Sequence, residues 1–180
     1  MTKTRLRFPL LCLLLCCLTG CKGQKNQPPA PFSALTWNAS YEDVKEAHGN
    51  EIESYPSVYE GTTYVYEAVY QERNGTLKYM FDSEEKLMCI AWAYETDDPE
   101  DLESVYRSLK KEVEDVHGES CSPSAASGYG DVWYLQEGDI ILTAVSVQDG
   151  SALQYAYLNA AVSNQEKRRT AVRPAGNHFP

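Results

Sequence analysis

Three consecutive stretches near the middle of the chain constrain its fold more than any other feature. Thr62 to Gln71, Thr76 to Phe81 and Leu87 to Tyr94 are rich in Val, Tyr and other apolar residues and read as β-strands. Between the first two lies Asn74-Gly75, the residue pair best suited to the positive φ angles of a two-residue hairpin turn; Asp82 to Lys86 separates the second from the third. A turn at Asn74-Gly75 puts Tyr70 opposite Tyr79 and Ala68 opposite Phe81. One face then carries Tyr64, Tyr66, Tyr70, Leu77, Tyr79 and Phe81, together with Cys89, Ala91 and Ala93 of the third strand. The small residues of that strand would leave room for a helix, so this is the expected core face. The other face would show Met80, Met88, Ile90, Trp92 and Tyr94. A register slip of one residue would exchange the two.

Helices are written on either side of these strands. Ser40 and Asp43 form a capping-box pattern, with Val44 and Ala47 on one face and His48-Gly49 as the stop. The second helix is marked more strongly. Asp98 caps it, Pro99 takes the first helical position, and Glu100, Asp101 and Glu103 set negative charge near the positive end of the helix dipole. Leu102, Val105, Tyr106, Leu109, Val113 and Val116 make an apolar stripe that ends at His117-Gly118. Beyond it come Val132 to Gln136, Ile140 to Val147 and Ala152 to Leu158, with turns at Glu137-Gly138 and Asp149-Gly150. Tyr134 falls on the same side as Met80. Helix-then-strands thus occurs twice, and both helices end in Val-x-x-x-His-Gly. The expected fold is α+β: a two-layer sandwich with two helices on one face of an antiparallel sheet, flat or curved, built from tandem halves at 32–96 and 97–163.

The amino end is of a different kind. Lys3, Arg5 and Arg7 precede the apolar run Phe8 to Leu18, which is shorter than the roughly 20 residues a permanent bilayer span needs. Leu18-Thr19-Gly20-Cys21 follows, the pattern of a bacterial lipobox. Residues 1–20 are therefore expected to be a lipoprotein signal peptide, and Cys21 the acylated first residue of the mature chain. Several acyl chains would hold the protein stably on a membrane, where one chain is marginal. Residues 21–31, polar with three prolines, read as a tether; 32–163 form the domain; and 164–180 read as a disordered basic tail. Once Cys21 is lipidated, Cys89 and Cys121 are the thiols left to the domain. In an exported protein they invite a disulfide, and a buried, unpaired Cys89 is the other reading.

Charge narrows the partners. Residues 32–163 hold seven Lys and Arg against 25 Asp and Glu, a net charge of −18, whereas Lys167, Arg168, Arg169 and Arg173 against Glu166 leave the tail at +3. An acidic body of this kind argues against a nucleic-acid partner. Three histidines, His48, His117 and His178, offer little for a catalytic base, and no nucleophile elbow, zinc-helix, phosphate-loop or EF-hand spacing occurs. Asp97 to Glu103 are explained by the start of a helix without invoking a cation. No enzyme activity, metal or cofactor is expected.

Leu35-Thr36-Trp37-Asn38-Ala39-Ser40 with Glu42 to Lys45 and His48-Gly49, followed by Leu77 to Asp82 and Lys86-Leu87, resembles the small outer-membrane lipoprotein A and β-lactamase-inhibitor-protein-like group. Gly118 and the later Trp133 resemble that group's tandem form, and the likeness spans about residues 32 to 160. It implies helices on one face of a curved antiparallel sheet and a non-catalytic, protein-binding role. The expectation is an envelope lipoprotein, anchored through Cys21 outside the cytoplasm of a bacterium, that grips an envelope or secreted protein through Met80, Met88, Ile90, Trp92, Tyr94 and Tyr134. The alternative is a lipoprotein that takes a solute or cell-wall fragment into a pocket lined by Tyr64, Tyr66, Tyr70 and Tyr79.

Overall fold

The computed structural model describes residues 28–121, 130–147 and 150–162. The expected signal peptide, Cys21 and the expected basic tail lie outside the described residues. The described chain runs α1 (Tyr41–His48), β1 (Glu53–Pro56), β2 (Glu60–Tyr70), β3 (Arg73–Asp82), β4 (Leu87–Thr96), α2 (Pro99–His117), β5 (Gly130–Leu135), β6 (Gly138–Val147) and β7 (Gly150–Asn159). The strands form one sheet in the order β1-β2-β3-β4-β7-β6-β5, antiparallel at every pairing. This is an α+β fold. Among the described residues, no helix is long and apolar enough to cross a membrane.

Both helix starts form as the sequence predicts. Ser40 and Asp43 make the reciprocal capping box of α1, and Asp98 accepts from the backbone N–H of Glu100 at the start of α2. The apolar stripe of α2 enters a core with Trp92, Trp133, Ile140, Leu142, Leu153 and Tyr155. Val44 of α1 enters a second cluster with Tyr66, Leu77, Tyr79, Phe81, Leu87 and Ile90. Phe32 joins the two, meeting Tyr70, Tyr155 and Tyr157 edge-on at 5.2–5.7 Å between ring centres. The folded body starts before Phe32, however. Ala30, expected in the tether, is buried in the second cluster.

The first hairpin departs from expectation. Its turn is Gln71-Glu72, not Asn74-Gly75: Tyr70 pairs with Arg73, Tyr66 with Leu77 and Tyr64 with Tyr79. Gln71 and Glu72 have φ of 46° and 63°, the left-handed pair of a two-residue hairpin, and carry it without a glycine. Gln71 is held by Glu112 and Ser108 of α2, which offsets the strain. Asn74 and Gly75 are strand residues, opposite Val69 and Ala68. The register moves by an even number of residues, so the faces of β2 and β3 survive the error. Because Glu72 adopts a conformation that costs a non-glycine residue about 1–2 kcal/mol, Glu72→Gly should stabilise the domain by up to ~1 kcal/mol after the entropy of glycine is subtracted. A raised urea midpoint with unchanged slope is the measurement.

On β4 the faces are exchanged. Met80 pairs with Cys89, but the next residue, Phe81, pairs with Leu87, so Met88 is an extra residue in the ladder. A bulge of one residue reverses the alternation beyond it. Ile90 and Trp92, expected on the open face, are fully buried on the core face beside Tyr79 and Leu77. Cys89, Ala91 and Ala93 point the other way.

Candidate functional site

Two cross-strand rows build the face of the sheet opposite Trp92. One reads Val65, Lys78, Ala91, Ala156, Ile141, Val132; the other reads Tyr55, Thr63, Met80, Cys89, Leu158, Asp139, Tyr134. The middle of this face is nearly inaccessible, with Ala91 at 0%, Cys89 at 2% and Ala156 at 4% exposure. Cys89, Ala91 and Ala156 form a small apolar cluster with Tyr59, Met80, Ile141 and Leu158 around it. The link between β1 and β2 brings Tyr59 against this cluster. Small side chains flanked by longer ones leave a hollow of about 360 Å³, lined by Tyr55, Val58, Lys78, Met80, Gln154 and Ala156 among others.

The structure divides the six residues expected to grip a protein. Met80 and Tyr134 lie on this face, but β4, β7 and β6 separate their strands, about 19 Å at ordinary strand spacing. Met88, the bulge residue, faces a larger cleft of about 930 Å³ at the end of the sheet, beside Trp37, Val58, Glu60 and Asp82. Ile90, Trp92 and Tyr94 belong to the core side. Tyr94 stacks on Trp92 with ring planes 7° apart and donates its hydroxyl to Asp101 of α2, which also pairs with Arg73. Tyr55, Tyr59 and Gln154 were not foreseen as site residues. Their signal was the small-large alternation Cys89-Ile90-Ala91-Trp92, which marks the small residues as the floor of a hollow once the bulge is known.

The four tyrosines of the solute-pocket reading do not line either cavity. Tyr64 stacks on Tyr41 at 4.2 Å, Tyr66 is buried, and Tyr70 donates to Glu112 at 2.6 Å. The Tyr79 hydroxyl is shared with Ser33 and His48, each at 2.8 Å. They are structural residues, three of them against the α1 core.

Cys89 and Cys121 do not form the considered disulfide. Both are free, Cys89 buried and Cys121 exposed. Cys121 bridges Val132 on the outer side of β5, so β7, β6 and β5 stand between the two thiols, well beyond the 7 Å that a disulfide spans between Cα atoms. Burial pushes the Cys89 thiol up to about 12, against a smaller lowering by the Tyr59 hydroxyl. A thiol-labelling time course in native buffer should therefore modify Cys121 in minutes and Cys89 only on addition of denaturant. Equal labelling rates would contradict the burial.

One charged network sits apart from the hollow. Asp131 on β5 is buried and accepts from Tyr106 and Ser120, and from Lys110 at 2.9 Å. Burial would raise its pKa, but these three donors outweigh it and hold the carboxyl below its ordinary 3.8. A depressed carboxylate contributes stability that is full above the unfolded value and lost as pH falls through the folded one. Asp131→Asn should therefore lose less stability than the native chain between pH 5 and pH 2, read as the difference in urea midpoint.

Among the described residues no cluster of His, Cys, Asp and Glu is arranged to hold a metal ion. Compared with known proteins, the chain matches no family model, no curated protein and no solved structure.

Proposed function

We propose that this protein is a non-enzymatic, lipid-anchored module that binds another protein in the hollow of its sheet, outside the cytoplasm of a bacterial cell. The observation that carries the reading is a hollow of about 360 Å³ on the sheet face whose central residues, Cys89, Ala91 and Ala156, are small and hidden among Tyr59, Met80, Ile141 and Leu158. A hollow walled by Tyr55, Tyr59, Met80 and Ile141 offers a protein loop apolar and aromatic contact together with shape. The anchoring half rests on the lipobox ending at Cys21.

The finer architecture belongs to the same reading. Leu77 and Trp92 are cross-strand neighbours, one in the α1 cluster and the other in the α2 cluster. On this reading α1 and α2 share one face of the sheet and the other is left for a partner, in the manner of the β-lactamase-inhibitor-like group. The tandem halves are then α1 to β4 and α2 to β7.

Two measurements test it. Fatty-acid labelling of cells should mark the native chain and not Cys21→Ala. A photo-reactive amino acid at Gln154 should crosslink one envelope or secreted protein, while the same group at Asp115, on the exposed side of α2, should not. Labelling that survives Cys21→Ala, or equal crosslinks from both positions, would remove the corresponding half of the proposal.

A further inference from the structure

The seven strands contain only two basic residues, Arg73 and Lys78. Arg73 is engaged by Asp101 and Tyr94 on the core side. Lys78 is the only cation that the strands place on the hollow face, between Val65 and Ala91. It lines the hollow, is partly buried, and forms no ion pair among the described residues. The nearest acids by register on that face are Glu67, diagonally across on β2, and Glu53, two strands away on β1. Both are exposed at the rim. A lysine in the lining of a small-residue hollow, without an ion pair among the described residues and in a domain otherwise so acidic, has a physical consequence. An apolar partner alone would bury it uncompensated, which is costly, whereas a carboxylate would satisfy it.

We infer that the hollow is a seat for an acidic side chain carried on an apolar loop of the partner protein, with Lys78 meeting the carboxylate and Tyr55, Met80 and Ile141 meeting the loop. This rests on the protein-binding reading of the same face and names the chemistry of its occupant. The pairing confers selectivity as well as affinity: a loop with Lys or Arg at that position would be repelled, and the acidic surface around the hollow would discourage generally acidic proteins from approaching any other way.

The probe is a phage-displayed library of disulfide-closed peptides with seven random residues, selected on the full-length chain held in detergent. Selected peptides are expected to carry Asp or Glu flanked by apolar residues. They should fail to bind Gln154→Trp, which fills the hollow from its rim, and bind Lys78→Met about tenfold more weakly, the scale of one close charge pair across an interface. Selection repeated on Lys78→Glu should return peptides with Lys or Arg in place of the acid. Circular dichroism checks that the three variants, all at partly exposed positions, remain folded. Peptides blocked by Gln154→Trp but lacking an acid, or indifferent to Lys78→Met, would overturn the carboxylate seat and leave the protein-binding face standing. Recovery of no peptide, or of peptides unaffected by Gln154→Trp, would overturn both.

Discussion

Trp92→Ala should leave the domain unfolded or close to it. The indole is fully buried between Leu77 and Tyr155, stacked on Tyr94 and met edge-on by Tyr70 at 5.6 Å, with Leu102, Val105 and Leu109 of α2 in the same core. Replacing such a side chain by alanine costs about 3–5 kcal/mol, because the lost burial is joined by a cavity that neighbours only partly fill. Total stability of a domain this size is of order 5–15 kcal/mol, so the loss is a large fraction of it. Thermal unfolding should show a midpoint lower by roughly 10–20 °C, or no cooperative transition. Trp92→Phe, which keeps most of the volume, should retain the transition. A Trp92→Ala chain that melted within a few degrees of the native one would mean that the indole is not in the core and that the bulge at Met88 is wrongly placed. A binding defect in Trp92→Ala says nothing about the partner surface; Gln154 and Lys78 are the positions that do.

Gly75→Ala should also be strongly destabilising, for a reason unrelated to turns. A Cβ built at Gly75 would lie 2.4 Å from the carbonyl oxygen of Ala93 and 2.8 Å from Nε1 of Trp92. The first obstacle is backbone, so the strands must part to admit a methyl group. Overpacking of this kind costs typically 1–3 kcal/mol, and a backbone obstacle argues for the upper part of that range. Asn74→Ala, at the exposed neighbour, should change stability by no more than about 0.5 kcal/mol. Were Asn74-Gly75 the turn, both positions would matter. Chemical denaturation of the two variants side by side separates the arrangements.

These two residues also show what could be read from the chain and what could not. Helix ends were legible because capping is local: Ser40, Asp43, Asp98 and Pro99 act on backbone groups within a turn of themselves. The class of fold followed from them and from the strand pattern. Asn74-Gly75 misled because two different demands select glycine, a positive φ and a close approach, and only the distant strand β4, through the Ala93 carbonyl and the Trp92 indole, distinguishes them here. The β4 faces were lost for a similar reason. Leu87 to Trp92 is an unbroken buried run, so periodicity offers no phase, and the single extra residue at Met88 is defined by the pairing with β3, not by anything within β4. The candidate site inherited that error. Its lining comes from six strands and a loop, and the position of Lys78 within it emerges only when every strand is aligned.

The pairing of β4 with β7 joins residues about seventy positions apart, Cys89 beside Leu158, in the centre of the sheet. The last of the described strands, β7, is therefore an inner one, and both clusters stay open until it is inserted. Contacts of such range make for slow folding. For a chain exported as proposed above, passage through a translocation channel as an open coil would be helped by a topology in which its early portion has no complete structure to adopt. The same arrangement makes loss of the final thirty residues, which removes β7, far more damaging than loss of an edge strand such as β1.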